Sequence, residues 1–172
     1  MPRPVRRGYG RAVPPARFVT DSSLEGLARL LRFLGYDVVT LRSALFEEVL
    51  EAARREGRTV LTLSRRHPRR WAVVPVIPLP RGDEAAALRI VTAAHEPAGA
   101  PFSRCVECNT ALQRRHAFEA AGEVPGSVLR AAPSLDYCPT CGKWYWAGSH
   151  VDRVRERLEA ALGRKPGTPP GA

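Results

Sequence analysis

Four cysteines in two C-x2-C pairs are the residues of this sequence best suited to bind a metal ion. They are the only cysteines in the 172-residue chain: Cys105, Cys108, Cys138 and Cys141. Two such pairs, separated by about 15–30 residues, are typical of a zinc ribbon. The residue after each pair often adopts a positive φ, which suits Asn109 and Gly142. Because four cysteines leave no coordination position for water, we expect Zn²⁺ with a structural role.

Basic and aromatic residues follow the second cysteine pair: Lys143, Trp144, Tyr145, Trp146 and, slightly later, His150. An exposed aromatic ring beside a basic side chain can stack on single-stranded bases. In so small a domain, such rings also serve as a core or as a packing face. Lys143 and Trp144 are therefore candidate nucleic-acid contacts, with packing as the alternative. His150 is a competing metal ligand, although four cysteines already complete a site.

A single aspartate, Asp21, follows the short apolar stretch RFVT at 17–20. An acidic residue at the carboxyl end of a first parallel strand lies where open α/β sheets place their active sites. A two-metal nuclease needs several carboxylates there to hold Mg²⁺ or Mn²⁺. The alternative role for Asp21 is the N-cap of the next helix.

Hydrophobic periodicity predicts the elements that would position these residues. Strands are predicted at 17–20, 36–41, 58–64 and 71–78, and helices at 22–35, 45–57, 83–94 and 150–162. Gly35 and Gly57 are placed to end the first two helices. The alternation of strands and helices predicts an α/β fold with a parallel sheet flanked by helices, followed by a small zinc ribbon.

The net charge of +10 and the pI of about 10.5 come almost entirely from arginine. Such a charge favours a polyanionic partner, because neutralising phosphates releases counterions; arginine-rich codon usage is the alternative explanation. No apolar run approaches the length of a membrane span, and the basic N-terminus lacks the apolar stretch of a secretory signal. We expect a cytoplasmic protein without a membrane partner, in which paired cysteines bind metal rather than form disulfides.

Composition divides the chain into four parts. Residues 1–16, with four arginines, four prolines and no acid, are expected to form a disordered basic arm. The α/β domain is expected at 17–98, the zinc ribbon with its C-terminal helix at 99–162, and a disordered tail at 163–172.

The segment RFVTDSSLEGLARLLRFLGYDV at 17–38 resembles the opening of the Mut-seven C-terminal RNase domain family. The similarity continues through FEEVLEAARREGRTVLTLS at 46–64, FSRCVECNTAL at 102–112 and VPGSVLRAAPSLDYCPTCGKWYWAGSHVDRVRERL at 124–158. The resemblance covers about 17–162. It implies a PIN-like α/β domain fused to a zinc ribbon, and a ribonuclease that uses clustered acidic residues and a divalent metal.

The acidic residues implied by this resemblance are only partly present. The first falls on Asp21, the second on Phe46 and the third on Ser64. Glu47 and Glu48, next to Phe46, offer substitute carboxylates from a different face of the helix. Serine ligates magnesium weakly and brings no charge, so Asp21 alone would not hold a metal pair.

The stretch SRRHPRR at 64–70 supplies positive charge where the resemblance places substrate. Its candidate RNA contacts are Arg65, Arg66, His67, Arg69 and Arg70, since guanidinium groups bind phosphate well. A solvated loop is the alternative. His67 as the acid/base of a metal-free cleavage is a further alternative with no other support.

These observations favour an RNA-binding PIN-like and zinc-ribbon protein with degraded or absent nuclease activity, acting on structured RNA or the ribosome. The first alternative is an active ribonuclease that holds Mg²⁺ or Mn²⁺ with Asp21, Glu47 or Glu48, and Asp37 or Asp83. The second alternative is a protein-binding adaptor. The carboxylate count and the charge favour the RNA-binding hypothesis over these two.

Overall fold

The computed structural model describes residues 15–42 and 44–166. Its N-terminal part contains β1 (Arg17–Asp21), α1 (Glu25–Phe33), β2 (Asp37–Leu41), α2 (Phe46–Glu56), β3 (Thr59–Thr62), β4 (Val76–Pro78) and α3 (Glu84–Ala94). Its C-terminal part contains β5 (Gln113–His116), α4 (Gly126–Ala131), β6 (Ser134–Tyr137), β7 (Trp144–Tyr145) and α5 (Ser149–Leu162). Most of the predicted basic arm, residues 1–14, and most of the predicted tail, residues 167–172, lie outside the described residues.

Strands β1 to β4 form one parallel sheet in the order β2-β1-β3-β4. β1 pairs with β2 along its whole length, from Arg17 opposite Asp37 to Asp21 opposite Leu41. On its other side β1 pairs with β3, with Val19 opposite Val60. The carboxyl ends of these three strands therefore lie at the same edge. The predicted α/β fold, a parallel sheet flanked by helices, is confirmed.

Alternating side chains of the central strands fill two separate hydrophobic clusters, because successive residues of a strand point to opposite faces. Phe18 and Leu61 pack into the cluster formed with α1, α3 and α5. Val19 and Val60 pack into the cluster formed with α2. One helical layer on each face covers the sheet, as buried parallel strands require.

Gly35 ends α1 and brings the later chain back onto the α/β layer. Its φ is +90°, as the predicted C-terminal cap requires. Its carbonyl accepts hydrogen bonds from the backbone N–H groups of Ala98 and Gly99, both at 3.1 Å. A Cβ at Gly35 would lie 2.1 Å from the carbonyl oxygen of Gly99. Only glycine therefore fits at position 35, where the segment at 98–99 crosses the end of α1. From this crossing the chain continues toward the cysteine region.

The predicted fourth strand is shorter than expected. Instead of spanning 71–78, β4 begins at Val76, because a 3-10 turn at Arg69–Trp71 redirects the chain. The side chains of Trp71 and Val74 pack into the hydrophobic cluster beneath α2. This irregular crossover covers the same face of the sheet as α2.

Helix α5 packs on the α/β layer. Leu158 is fully buried in the cluster shared with α1 and α3. Arg89 of α3 donates a hydrogen bond to the carbonyl of Ala161 at 2.8 Å, and Arg157 pairs with Glu84. The predicted domain at 99–162 groups this helix with the ribbon, whereas its apolar face completes the α/β core.

The C-terminal part contains a three-stranded antiparallel sheet in the order β5-β6-β7. Its small core consists of Ala117, Ala120, Val124 and Leu135. Within the described residues, none of the helices combines the length and the apolar content needed to cross a bilayer. The cytoplasmic location stays a prediction.

Candidate metal centre and nucleic-acid interface

The two cysteine pairs adopt matching backbone turns. In the first, Cys105 N–H donates to the Thr110 carbonyl at 2.8 Å, and Asn109 N–H donates to the Cys105 carbonyl at 2.9 Å. The turn beginning at Cys138 repeats both bonds at 2.9 Å, with Lys143 and Gly142 as the partners. Asn109 and Gly142 both have φ of 69°, which confirms the left-handed conformation predicted for them.

These turns bring all four sulfurs together, within 4.8 Å of one another. Cys105 Sγ lies 3.7 Å from Cys141 Sγ, and Cys108 Sγ lies 3.4 Å from Cys138 Sγ. Four sulfurs around Zn²⁺, with bonds of about 2.3 Å, would lie roughly 3.8 Å apart. The cluster can therefore hold a metal ion, and its size and all-sulfur donor set fit the predicted structural zinc.

Polar groups surround the sulfurs and would orient them around an ion. Tyr145 Oη lies 3.1 Å from Cys105 Sγ, and Thr110 Oγ1 lies 3.3 Å from Cys108 Sγ. The backbone N–H of Cys141 donates to Cys138 Sγ at 3.3 Å. Partners of this kind stabilise the thiolate form that a metal ion requires.

The thiols influence one another's ionisation. Burial opposes ionisation of Cys108, but hydrogen bonding with Thr110 and with the neighbouring thiols lowers its pKa to about 6. The pKa of Cys141 is raised, chiefly by its hydrogen bond with Cys108 and by desolvation. Four thiolates in so small a volume need a cation to offset their repulsion, so protons and metal compete for the cluster.

Asn109 connects the first turn to the α/β layer. Its Nδ2 donates to Asp37 Oδ1 at 2.8 Å, and its Oδ1 accepts from the Val38 N–H at 3.1 Å. Asp37 also accepts a hydrogen bond from Arg58 Nη1 at 2.7 Å. Burial raises the pKa of Asp37, but the hydrogen bonds of Arg58 and Asn109 outweigh it, so the net pKa lies below 3.8.

Arg32 of α1 forms a second, buried connection to the same turn. Only 1% of this residue is exposed. Its Nε donates to the Val38 carbonyl at 2.9 Å, and its Nη1 donates to the Val106 carbonyl at 2.6 Å. Glu25 Oε1 lies 3.2 Å from Nη1 and offsets the charge. A buried charge needs such partners, so α1, β2 and the first turn form one hydrogen-bonded unit.

Asp21 lies at the predicted carboxyl edge of the sheet, where it caps the 3-10 turn at Ser22–Leu24. Its Oδ1 accepts a hydrogen bond from the Ser23 N–H at 2.8 Å, and the Ser23 hydroxyl donates to the same oxygen. The alternative role predicted for Asp21, a helix cap, is thus present. The carboxylate keeps lone pairs that a metal ion could also use.

The acids that open α2 have partners of their own. Glu48 Oε2 accepts a hydrogen bond from the Leu45 N–H at 2.6 Å and caps the helix. Glu47 pairs with Arg70. Phe46, which replaces an expected aspartate, packs against the hydrophobic cluster beneath α2.

Asp37 does not lie where a ligand set with Asp21 would need it, whereas Asp83 caps a helix and lines a small pocket together with Ser23 and Leu24. Asp37 begins β2 opposite Arg17, so it lies at the other end of the sheet, about 13 Å from Asp21 by strand geometry. Asp83 caps α3 by accepting from the Ala86 N–H at 2.8 Å. Among residues 15–42 and 44–166, the four cysteines are the only group of three or more His, Cys, Asp or Glu side chains placed to share a metal ion.

The basic run from residue 64 to residue 70 follows β3 in sequence and reaches the amino end of α2 in space, where Arg70 pairs with Glu47. Ser64 Oγ accepts from the Arg66 N–H at 3.1 Å, and His67 Nε2 lies 2.8 Å from the Trp71 carbonyl oxygen. These contacts set the path of the loop. The arginines of the run are exposed: Arg65, Arg66, Arg69 and Arg70. Because these side chains are exposed at the carboxyl edge of the sheet, they are accessible to the phosphates of a nucleic acid.

The aromatic residues of the ribbon differ in exposure. Trp144 packs against the small ribbon core, with its ring 4.7 Å from the Tyr137 ring. Lys143 is exposed, with its Nζ 3.8 Å from Glu107. Trp146 is 36% exposed, which makes it the more accessible tryptophan for stacking. His150 is exposed and does not belong to the sulfur cluster.

A family model described as the Mut7-C RNAse domain matches residues 16–158. The chain belongs to this family. The match covers both the parallel sheet and the cysteine turns, so the resemblance seen at 17–162 is confirmed. No curated protein and no solved structure matches the chain significantly.

In this Mut7-C chain, sequence patterns identified the cysteines that could hold a metal ion but not the side chains that dock their first turn. Asn109 was selected only for its backbone conformation, and Arg32 and Arg58 were not selected at all. Spacing relative to the cysteines was the available signal for Asn109. For a buried arginine such as Arg32, the amphipathic pattern of α1 indicates an exposed residue.

Proposed function

We propose that this chain binds RNA on a nuclease-like scaffold and that its metal-dependent cleavage activity is degraded or absent. The observation that carries the proposal is the composition of the carboxyl edge of the sheet. Asp21 is the one acid that matches the expected pattern there, while Phe46 and Ser64 stand at the other two positions. A phosphodiester transition state needs metal ions held by several carboxylates.

The electrostatics of the same edge support binding. The arginines of the run from 64 to 70 are exposed, and within residues 15–42 and 44–166 only Arg70 among them pairs with an acid. Guanidinium groups form bidentate hydrogen bonds with phosphate oxygens. A structured RNA, including ribosomal RNA, would supply the dense phosphates that such a surface attracts.

An active ribonuclease is the second candidate, and membership of the Mut7-C family favours it. Asp21, with Glu47 or Glu48, would then hold Mg²⁺ or Mn²⁺. Both glutamates would have to leave their present partners, Arg70 and the Leu45 N–H, to coordinate an ion.

The sulfur cluster has a structural role in either case, as the proposed Zn²⁺ site. The four thiolates and their hydrogen-bond donors would hold the ion, whose bonds would link the two turns. Cys105, Cys108, Cys138 and Cys141 would keep the ribbon folded beside the α/β layer.

Salt-dependent binding measurements test the proposal. The Arg65→Ala, Arg66→Ala, Arg69→Ala triple variant should lose about tenfold or more in affinity for RNA, and the slope of log K against log salt should fall by about 2. The control is the Arg54→Ala, Arg55→Ala, Arg153→Ala triple variant, which makes the same charge change at exposed sites elsewhere. An equal loss of RNA affinity in both triple variants, or an RNA affinity that does not change with salt, would contradict the proposed interface.

A further inference from the structure

A cavity of about 690 Å³ lies where the ribbon meets the end of α1 and the start of α5. It borders the sulfur cluster through Tyr145, and none of its lining residues belongs to the carboxyl edge of the sheet. Four of its lining residues are aromatic: Phe33, Phe102, Tyr145 and Trp146. Its volume falls within the range of about 300–1,000 Å³ that is usual for ligand pockets.

The aromatic wall of this cavity has a defined geometry. The rings of Phe33 and Phe102 meet edge to face, with centroids 5.6 Å apart. Phe102 has φ of 63°, which is costly for a bulky residue. A hydrogen bond of 2.7 Å from its N–H to the Phe33 carbonyl maintains this backbone. The backbone of Phe102 is therefore strained at the position from which its ring lines the cavity.

The polar lining of the cavity is predominantly positive. Arg104, Arg114 and Arg155 line it, against the single acidic residue Asp136. The Arg104 guanidinium is held by the Asn109 carbonyl at 2.8 Å and by Asp37 at 3.7 Å, which leaves Arg114 and Arg155 as the phosphate candidates. Arg114 pairs with Asp136, and Arg155 pairs with Asp152 while its Cζ lies 5.2 Å above the Phe102 ring. The side chains of Arg114 and Arg155 are 65% and 44% exposed, so both can reorient toward an incoming anion.

We propose that this cavity binds one nucleotide of single-stranded RNA, with the base among the aromatic rings and the phosphate on the arginines. Flat π-systems stack on aromatic and guanidinium faces, and phosphate oxygens accept from arginine. A free mononucleotide offers the same chemistry. The inference rests on the proposed function and adds to it a second, base-contacting site on the ribbon side of the molecule.

A neutral substitution that fills the cavity separates this site from general electrostatic attraction. Ala131 ends α4 at the cavity lining and is exposed, so Ala131→Trp adds a large ring there without changing charge. Ala160→Trp is the matched control, on an exposed position of α5 outside the lining. Trp146→Ala is the second variant, used if Ala131→Trp does not melt like the unaltered protein.

Fluorescence anisotropy then compares a short labelled oligouridylate with a labelled RNA duplex. Ala131→Trp and Trp146→Ala should weaken oligouridylate binding about tenfold, which is the scale of one lost stacking contact. Binding of the duplex, whose bases are paired and inaccessible, should stay within about twofold. Ala160→Trp should behave like the unaltered protein with both RNAs.

The outcomes for the two proposals are distinguishable. If the unaltered protein binds oligouridylate and neither cavity variant weakens it, the cavity proposal is overturned while the proposed function stands. If the unaltered protein binds no RNA, the proposed function fails, and calorimetric titration with UMP and AMP decides the cavity. Mononucleotide binding that Ala131→Trp removes would support the site, and its absence would overturn it.

Discussion

Asn109 combines two structural roles, a left-handed turn after a cysteine pair and a pair of hydrogen bonds to β2. Its φ of 69° equals that of Gly142 in the second turn. Only the first turn uses its side chain to reach Asp37 and the Val38 N–H. The left-handed backbone of Asn109 was predictable from the sequence, because this residue directly follows the first cysteine pair. The docking role depends on tertiary placement, which no local pattern encodes.

Replacing Asn109 with glycine should separate these two roles. Asn109→Gly keeps the left-handed backbone accessible and removes both side-chain hydrogen bonds. We expect the free energy of unfolding to fall by about 1–3 kcal/mol and hydrogen exchange at the Val38 N–H to become faster. The control is Gly142→Asn, which places asparagine in the equivalent turn. A stable Asn109→Gly protein with unchanged exchange at Val38 would show that the side chain does not dock the ribbon.

The Asp37 carboxylate should make stability depend on pH. Its folded-state pKa lies below the ordinary 3.8, because the bonds from Arg58 and Asn109 outweigh burial. The contribution is therefore fully present above pH of about 4 and lost as the pH falls through the folded pKa. Asp37→Asn should lower the free energy of unfolding by roughly 2 kcal/mol at neutral pH.

Denaturant unfolding of both proteins across the acid range checks this prediction. The difference between the unaltered protein and Asp37→Asn should shrink below pH of about 4, where the carboxylate becomes protonated. Release of a metal ion from the cysteine cluster at acid pH would occur in both proteins, so the difference between them reports on Asp37. A difference that stays constant with pH would rule out the ionised carboxylate as its source.

At the scale of elements, α5 follows the ribbon in sequence but belongs to the α/β core in space. Leu158 is fully buried among residues of α1 and α3. The helix itself was predictable from its 3.6-residue periodicity. Its placement was not, because amphipathicity identifies an apolar face but not the surface that covers it.

Leu158→Ala should destabilise the α/β domain. Deleting a fully buried leucine side chain costs about 2–5 kcal/mol through lost burial and the cavity left behind. Glu156→Ala, at an exposed position of the same helix, should leave the free energy of unfolding within about 0.5 kcal/mol. Hydrogen exchange of the β1 and β3 amides locates the effect. Protection lost only in the ribbon would contradict the placement of α5 on the sheet.

The ribbon should depend on its metal. Its core is small and its strands are short, so bonds to an ion held by the four cysteines would supply folding free energy that the core cannot. Cys138→Ser should lower the metal content well below one ion per chain and unfold the segment from β5 to β7. Elemental analysis measures the metal content per chain, and melting curves measure the stability of the variant. A Cys138→Ser protein with full metal content and an unchanged Tm would exclude the four-cysteine site.

The parallel sheet and the ribbon also differ in how far the sequence predicted them. β1 to β3 were predictable because buried parallel strands alternate with amphipathic helices. The strands β5, β6 and β7 are two to four residues long and largely polar, so they leave no periodic signal. β4 was predicted too long because apolar residues 71–75 pack in an irregular crossover, which a hydrophobic run does not distinguish from a strand.

At the scale of the whole molecule, a strongly basic chain folds into a domain of the Mut7-C RNAse family. The net charge of +10 attracts any polyanion, so charge alone does not tell cleavage from binding. What separates them is the number of carboxylates at one edge of the sheet. Asp21 is present there, and Phe46 and Ser64 stand where two more acids are expected.

Cleavage and retention of RNA, measured together, distinguish a binding protein from an active nuclease. Labelled total RNA is incubated with the purified protein and with Asp21→Asn, in Mg²⁺, in Mn²⁺ and in EDTA. We expect both proteins to retain intact RNA under all three conditions. RNA cleaved only with Mg²⁺ or Mn²⁺, and not by Asp21→Asn, would show that a reduced acidic site still performs the chemistry.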